Sequence, residues 1–379
     1  MIVSHRSPIW RARVVRTFAV AAVVLAPIAS VGGNSAQAQA PGPSSNVSVF
    51  ASGLDNPRGL KFGPDGNLYV AEGGRGGTNS TVGQCTQVVP PVGPYTGGMT
   101  GRISRISPSG ARTTVVDNLP SSQTSALIGG EVSGVADVAF VGNRLYALLG
   151  GAGCSHGVPN IPNGVIRVDS DGSWHLVADL SAFLMTHPVK TIDPDDFEPD
   201  GTWYSMVFAR GSLYAIEPNH SELDRIQKDG KVSRVIDFTV LYGSFTQTAM
   251  AFHHGAFYVG NLGTFPATPG DAYILRVTPD GGSAKVATGL MTVLGVAFDR
   301  KGRLYALENF TVPGFPGPGA AFSGDVKRLT SNGSWETVAS GLMFPTAMTF
   351  GPDGRLYVSN FGHGTPPGTG QIVRIDVGT

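Results

Sequence analysis

Two cysteines in 379 residues and a charged fraction of only 14% are the first things this sequence has little of. So few cysteines rule out a disulfide-built scaffold and a cysteine-rich zinc module, both of which need several at short spacings. Lysine plus arginine balance aspartate plus glutamate at 27 each, so no basic excess exists to hold a phosphate backbone, and nucleic acid is excluded as a partner. G-x-S-x-G, H-E-x-x-H and a phosphate-binding glycine loop are missing. The run Gly-Gly-Arg-Gly-Gly at 73–77 lacks the following helix that a nucleotide site requires.

Long apolar runs are also scarce, and the one that stands out lies near the start. Arg6, Arg11, Arg13 and Arg16 precede TFAVAAVVLAPIASV, which gives way to SAQAQAPGPSS. A basic segment, an apolar core and an A-x-A site are the parts of a secretory signal peptide. Residues 1–38 are therefore read as that peptide, cleaved after Ala38 or Ala40, with 39–46 a short Pro/Ser-rich linker and 47–379 the folded domain. The core is short for a membrane span, which takes about 20 residues, so a retained anchor is the alternative reading. Cleavage removes four arginines and no acids, taking the net charge from zero to 23 − 27, or −4. The mature protein is expected outside the cytoplasm, secreted or periplasmic, as a monomer with no membrane span.

What the sequence has in abundance is glycine, 53, and proline, 27, a mix suited to short strands and many turns. The motif LYV with its neighbours returns six times, marked by Tyr69, Tyr146, Tyr214, Tyr258, Tyr305 and Tyr357. A phenylalanine precedes each by six or seven residues: Phe62, Phe140, Phe208, Phe252, Phe298 and Phe350. Between them lie tight turns such as GPDGN and DRKGR, the signature of a β-hairpin. A third alternating run, a second tight turn and a fourth run follow in most units, so the fold class is all-β, a six-bladed β-propeller with four antiparallel strands per blade. The sixth unit stops after its third strand, and NVSVFASGL near the start matches WETVASGL in pattern. The N-terminal strand is thus predicted to complete the last blade and close the ring.

This connectivity puts the tight turns on one face and the long insertions on the other. The insertions are 73–101, 150–163, 262–271, 310–324 and 361–370 after second strands, with 120–134 and 181–202 between blades. Long loops at one end of a rigid scaffold are where binding sites usually sit. Cys85 and Cys154 fall in adjacent loops of that face and are predicted to form a disulfide; free thiols are the alternative.

The residue three after each marker tyrosine is Glu72, Leu149, Glu217, Asn261, Glu308 and Asn360. Two readings apply: a polar ring at the channel mouth, suited to Ca or Mg or a polyhydroxylated ligand, or caps that accept backbone N–H bonds from loops. EPNHSELDRI places Glu217, Asn219 and His220 on a short loop, where the histidine is either a general base or metal ligand or simply solvated. The run TIDPDDFEPDG is either a calcium loop or an acidic surface loop. Arg58 joins the candidate ligand-binding set at the start of a first strand. Sequons stand at Asn79, Asn219, Asn309 and Asn332.

EPDGTWYSM, EPNHSELDRI, YVGNLGTFP, ATGLMTVLGVAFDRKGRLYALEN and GLMFPTAMTFGPDGRLYVSN together resemble the ScyD/ScyE family of exported propellers. The resemblance implies fold and export and carries no established chemistry. Gluconolactonase-like propellers are similar too and hold calcium with Glu and several Asn or Asp near the channel. Here the axis-facing first-strand residues include Gly59, Asp137, Ser205, Ala249, Gly295 and Ala347, nearly all small and neutral. Streptogramin lyases share the GPDG hairpin, yet that family resembles a seven-bladed ring with tryptophan at the tyrosine position. The sequence therefore supports a propeller that binds a small molecule, glycan or protein through its long-loop face. The alternative is a Ca- or Mg-dependent hydrolase or lyase using Glu72, Glu217, His220, Glu308 and Arg58.

Overall fold

The repeated Gly-Pro-Asp-Gly turn closes by the same bonds at both ends of the chain. Gly63 N–H donates to Asn67 O at 2.8 Å and Gly66 N–H to Gly63 O at 3.0 Å; Gly351 and Gly354 repeat this at 2.8 and 3.0 Å. Asp65 accepts from the Tyr69 hydroxyl at 3.0 Å, and Asp353 from Tyr357 at the same distance. A Cβ on Gly63 would stand 2.7 Å from both Asp65 Oδ1 and the Tyr69 ring, so the turn admits only glycine there. The four-residue spacing from aspartate to marker tyrosine is thus a hydrogen-bond spacing.

The computed structural model describes residues 42–194 and 197–378. The expected signal peptide, with Ala38 and Ala40, lies outside the described residues. Six antiparallel sheets form a ring, a six-bladed β-propeller. Blade 1 is built on Pro57–Phe62, Leu68–Glu72, Thr96–Ile106 and Arg112–Gln123. Blade 2 uses Val135–Val141, Arg144–Leu149, Gly164–Val168 and Trp174–Asp179, and blade 3 Ser205–Ala209, Ser212–Glu217, Glu222–Ile226 and Val232–Asp237. Blade 4 runs Gln247–His253, Ala256–Asn261, Ala272–Val277 and Ser283–Leu290; blade 5 runs Val293–Phe298, Leu304–Glu308, Gly324–Leu329 and Trp335–Leu342. Blade 6 takes Ala347–Phe350, Leu356–Asn360 and Gly370–Ile375 from the C-terminal end, and Val47–Leu54 supplies its fourth strand. Val47 pairs with Ile375 and Leu54 with Gly370, so the first strand closes the ring as its sequence predicts.

The marker phenylalanines and tyrosines meet across blade boundaries. Tyr69 packs edge-on against Phe140 at 5.0 Å, Tyr258 against Phe298 at 4.7 Å, Tyr305 against Phe350 at 5.1 Å and Tyr357 against Phe62 at 5.0 Å. Each such pair adds about 0.5–1.5 kcal/mol beyond its buried area. The last of them sits at the closing seam. The core is correspondingly distributed between blades: one cluster joins Val207 and Tyr214 of blade 3 to Met250 and Val259 of blade 4.

Three segments differ from their sequence reading as loops. The third and fourth strands of blade 1 run past the sheet as a ribbon, Thr96 opposite Gln123, and Val132–Ser133 adds a fifth strand beside it. Thr-Gly-Gly-Met-Thr-Gly carries too much glycine to show a strand's alternation, and the partner strand imposes the conformation. Between blades 2 and 3, Leu180–Thr186 is a helix. Asp179 caps it by accepting from Ala182 N–H, and Leu180 and Leu184 turn into the core.

Cys85 and Cys154 are joined in a disulfide across a separation of 69 residues. Replacing both by serine is expected to cost about 4 kcal/mol in the chain-entropy picture. Urea unfolding of the double variant checks this, and an unchanged midpoint would mean that the loops hold themselves.

Candidate functional site

The five polar residues that follow the marker tyrosines are all buried, with exposures of 0–3%. Four of them accept a backbone N–H from the segment leading into their own blade. Glu72 accepts from Asp55 at 2.6 Å, Glu217 from Thr202 at 2.7 Å, Glu308 from Met291 at 2.5 Å and Asn360 from Met343 at 2.8 Å. Asn261 instead accepts from Tyr273 N–H of its own loop, at 2.8 Å. These are capping bonds that register each inter-blade connection against the second strand.

The three glutamates do not converge on a common point. Glu72 is engaged by Ser104, Arg112 and Arg102; Glu308 is paired with Lys327, and Glu217 with His220. Burial raises the Glu72 carboxyl above its usual value, against the pull of the Asp55 N–H, Ser104 and the two arginines. Among the described residues, no group of three or more His, Cys, Asp or Glu is placed to hold a metal ion.

His220 is not a solvated surface residue: it is 4% exposed. Its Nδ1 lies 3.2 Å from Glu217 Oε2, and its backbone N–H donates to the same oxygen. Burial acts to lower its basicity, but Glu217 and the neighbouring Glu222 outweigh this and raise it. Asn219 lies in the same Glu217–Glu222 turn, half-buried. Beside this turn, Glu222 and Asp224 add two more buried carboxylates on the next strand, with Arg234 on Glu222.

The acidic run also folds inward. Asp195 and Asp196 lie outside the described residues, but Glu198 is buried and takes hydrogen bonds from Tyr95 and Thr202, with His156 Nε2 at 3.3 Å. Asp200 accepts from Ser155 N–H and Oγ at 2.7 and 2.6 Å. The run is a clamp on the disulfide-bearing loop of blade 2, because its carboxylates satisfy backbone and hydroxyl donors there.

The central channel is nearly filled. Gly59, Asp137, Ser205, Ala249, Gly295 and Ala347 line a cavity of about 30 Å³, room for a water molecule and little else. A Cβ on Gly59 would stand 1.9 Å from Asp137 Oδ1, so glycine in blade 1 makes room for the carboxylate of blade 2. Asp137 accepts from Met206 and Val138 N–H, both at 2.8 Å, and burial still lifts its carboxyl above the ordinary range.

At the long-loop end, Tyr204 of blade 3 closes the channel. Its hydroxyl donates to Thr346 O at 3.0 Å, a residue of blade 6 on the opposite side of the ring. Arg58 lies over the Tyr204 ring with Cζ 5.8 Å from its centre, and donates to Val132 O. Next to it, His363 Nδ1 meets Glu131 Oε2 at 3.1 Å while His363 Nε2 meets Asn309 Oδ1 at 3.0 Å. The Asn309 amide donates to Pro345 O at 2.9 Å, which turns its oxygen toward the imidazole. Both ring nitrogens therefore face an oxygen of a neighbouring side chain. Burial would raise Glu131, but His363 and Arg58 hold its carboxyl below the usual range. Phe344 stacks on the imidazole at 4.9 Å and fixes its plane.

This mouth holds a guanidinium and an imidazole against one carboxylate, and only Arg58 of the four polar residues belongs to the set chosen from sequence. Glu131, Asn309, His363 and Tyr204 escaped that reading. Tyr204 had one available signal: it stands just before the axis-facing Ser205, as Arg58 stands before Gly59 and Thr346 before Ala347. Glu131 and His363 have no such marker, since they come from loops of blades 1 and 6.

No protein-family model matches the sequence, and no curated protein matches it. Among solved structures, the chain resembles regucalcin, a calcium-binding protein from Agrobacterium tumefaciens, with 14% identity and a TM-score of 0.54 over 86% of this chain and 92% of that one. It also resembles a putative oxidoreductase (glucose dehydrogenase) from Thermus thermophilus, with 18% identity and a TM-score of 0.52 over 87% and 99% of the two chains. A luciferin-regenerating enzyme gives 11% identity and a TM-score of 0.51 over 88% and 95%. At these identities the likeness is one of fold.

Proposed function

We propose that this protein is an exported propeller of the ScyD/ScyE type that binds a small organic anion, a carboxylate, at the long-loop mouth of its channel. The observation that carries the reading is the Arg58–Glu131–His363–Asn309 cluster, which joins loops of blades 1, 5 and 6 around a half-buried guanidinium. Tyr204 forms the floor, so the ligand is held at the mouth. Arg58 is the main contact, because guanidinium matches a carboxylate in two parallel hydrogen bonds. His363 keeps Glu131 occupied, which leaves the guanidinium to the ligand.

Gluconate and citrate serve as probes. A thermal upshift with either probe is expected in the intact protein, lost in Arg58→Ala and weakened in His363→Gln. No upshift with either probe, or an upshift undiminished by Arg58→Ala, would overturn the reading. The His363–Glu131 pair also supports a second reading, a hydrolase or lyase in which the imidazole serves in acid–base chemistry. Turnover of D-glucono-1,5-lactone that disappears in His363→Gln would establish it.

A further inference from the structure

The tight third-to-fourth turn of each blade rides on the fourth strand of the blade before it. Positions of a Cβ on the turn glycines measure that approach: 2.4 Å from Gly110 to Phe50 O, 2.2 Å from Gly230 to Val177 O, 2.7 Å from Gly281 to Val235 O and 3.0 Å from Gly172 to Val115 O. The seam between blades 1 and 2 is the widest of these four. At the seam between blades 4 and 5, nothing comes within 4 Å of Gly333. There, however, Trp335 bridges the gap by donating its indole N–H to Thr288 O at 2.8 Å.

Trp174 occupies in blade 2 the position that Trp335 occupies in blade 5, two residues after the turn glycine. The residue equivalent to Thr288 is Asp117, and the one equivalent to Gly289 is Asn118, both with positive φ at the second position. Among the described residues, the indole N–H of Trp174 has no hydrogen-bond partner. In place of the bridge lies a groove of about 500 Å³ lined by Trp174, Asp117, Asn118, Asp171 and Ser173. Asn118 donates to Asp117 Oδ1 at 2.7 Å and Ser173 to Asp171 Oδ1 at 2.6 Å, which orients both carboxylates; among the described residues no hydrogen bond reaches Oδ2 of either. Three polar changes thus separate this seam from its counterpart: Asp117 for Thr288, Asn118 for Gly289 and Asp171 for Asn332.

We infer that this groove is a carbohydrate-binding site for a pyranose ring. An indole offers an apolar face to the C–H side of a sugar and an N–H to one hydroxyl, while two oriented carboxylates and an amide accept and donate to vicinal hydroxyls. The groove is open to solvent, with room for a pyranose ring to lie against the indole. It lies at the tight-turn end of the seam, away from the channel mouth, so it stands independently of the anion site.

The test uses intact mature protein and a panel of methyl glycosides, gluco, galacto, manno and N-acetylglucosamine, followed by the indole N–H resonances in two-dimensional NMR. The expected result is a saturable, millimolar shift of the Trp174 signal with at least one glycoside. The affinity should fall at least tenfold in Asp117→Asn/Asp171→Asn, and in Trp174→Phe, where saturation-transfer from protein to the glycoside replaces the lost indole signal, binding should vanish; Trp335→Phe leaves it intact. No shift of the Trp174 signal at tens of millimolar of any glycoside overturns the inference, as does a shift produced by ethanolamine but by no sugar, which would make the groove an ammonium site. A folded Trp174→Phe protein that still binds glycoside with unchanged affinity overturns it as well.

Discussion

A chain shortened to begin at Asp55 is expected to lose cooperative folding altogether. The missing strand Val47–Leu54 pairs along its length with Gly370–Ile375, the edge that would be left open. Leu54, fully buried, and Ala51 belong to the core cluster that holds Leu60, Leu68, Tyr357 and Ile372 together at the closing seam. Loss of a buried leucine alone costs about 2–5 kcal/mol, and a domain has about 5–15 kcal/mol in all. Removing the strand also exposes a paired edge to other chains, so aggregation should accompany the loss. Thermal unfolding followed by circular dichroism, with size-exclusion chromatography, checks this. A monomer with a sharp transition would show that five and three-quarter blades suffice. Adding the strand back as a peptide should restore the transition.

The second large effect is a fall in stability as pH rises from about 4 to 8. Burial lifts Glu222 from 4.5 to about 7, with Arg234 opposing and Glu217 reinforcing, and Asp224 beside it is raised well above 3.8. Burial likewise lifts Asp325 from 3.8 to about 8, reinforced by Glu308 and opposed by Lys327. A carboxyl whose folded value is raised binds more protons folded than unfolded, so its contribution is full below its unfolded value and is lost as pH climbs through the folded one. The sum over these sites is on the order of several kcal/mol. Denaturant midpoints should therefore be higher at pH 5 than at pH 8.5, and Asp325→Asn should flatten the profile. A flat profile in the unaltered protein would mean that water or counter-ions reach these carboxylates. Below about pH 4 the sign reverses, since Glu131 and Glu198 are held below their usual values and lose their partners on protonation.

The ring was legible in the sequence because every blade repeats the same local physics. The turn aspartate, the tyrosine four residues on and the phenylalanine before the turn are bonded and packed as their spacing requires, and the unfinished sixth unit pointed to its missing strand. The mouth was hard to read for the opposite reason. Arg58, Glu131, Tyr204, Asn309 and His363 are contributed singly by different segments, and only ring closure brings them together. Asn309 appeared in the sequence as part of a sequon, yet it is 2% exposed and orients an imidazole. The glutamates after the marker tyrosines showed the converse: repetition drew attention to positions whose oxygens are spent on backbone donors. Buried carboxylates on strands, such as Asp224 and Asp325, carry no sequence signal beyond an acid in an alternating run.

The hydrogen bond from Tyr204 to Thr346 ties one side of the ring to the other, and this bears on what sort of molecule can be served. A polymer threaded along the axis would have to break this bond, and so would a molecule entering at one end to leave at the other. Whatever docks at the mouth must arrive and depart by the same route, so its residence is set by contacts at a single opening. A long chain could be recognised there only by its end or by a side group that reaches down to the tyrosine.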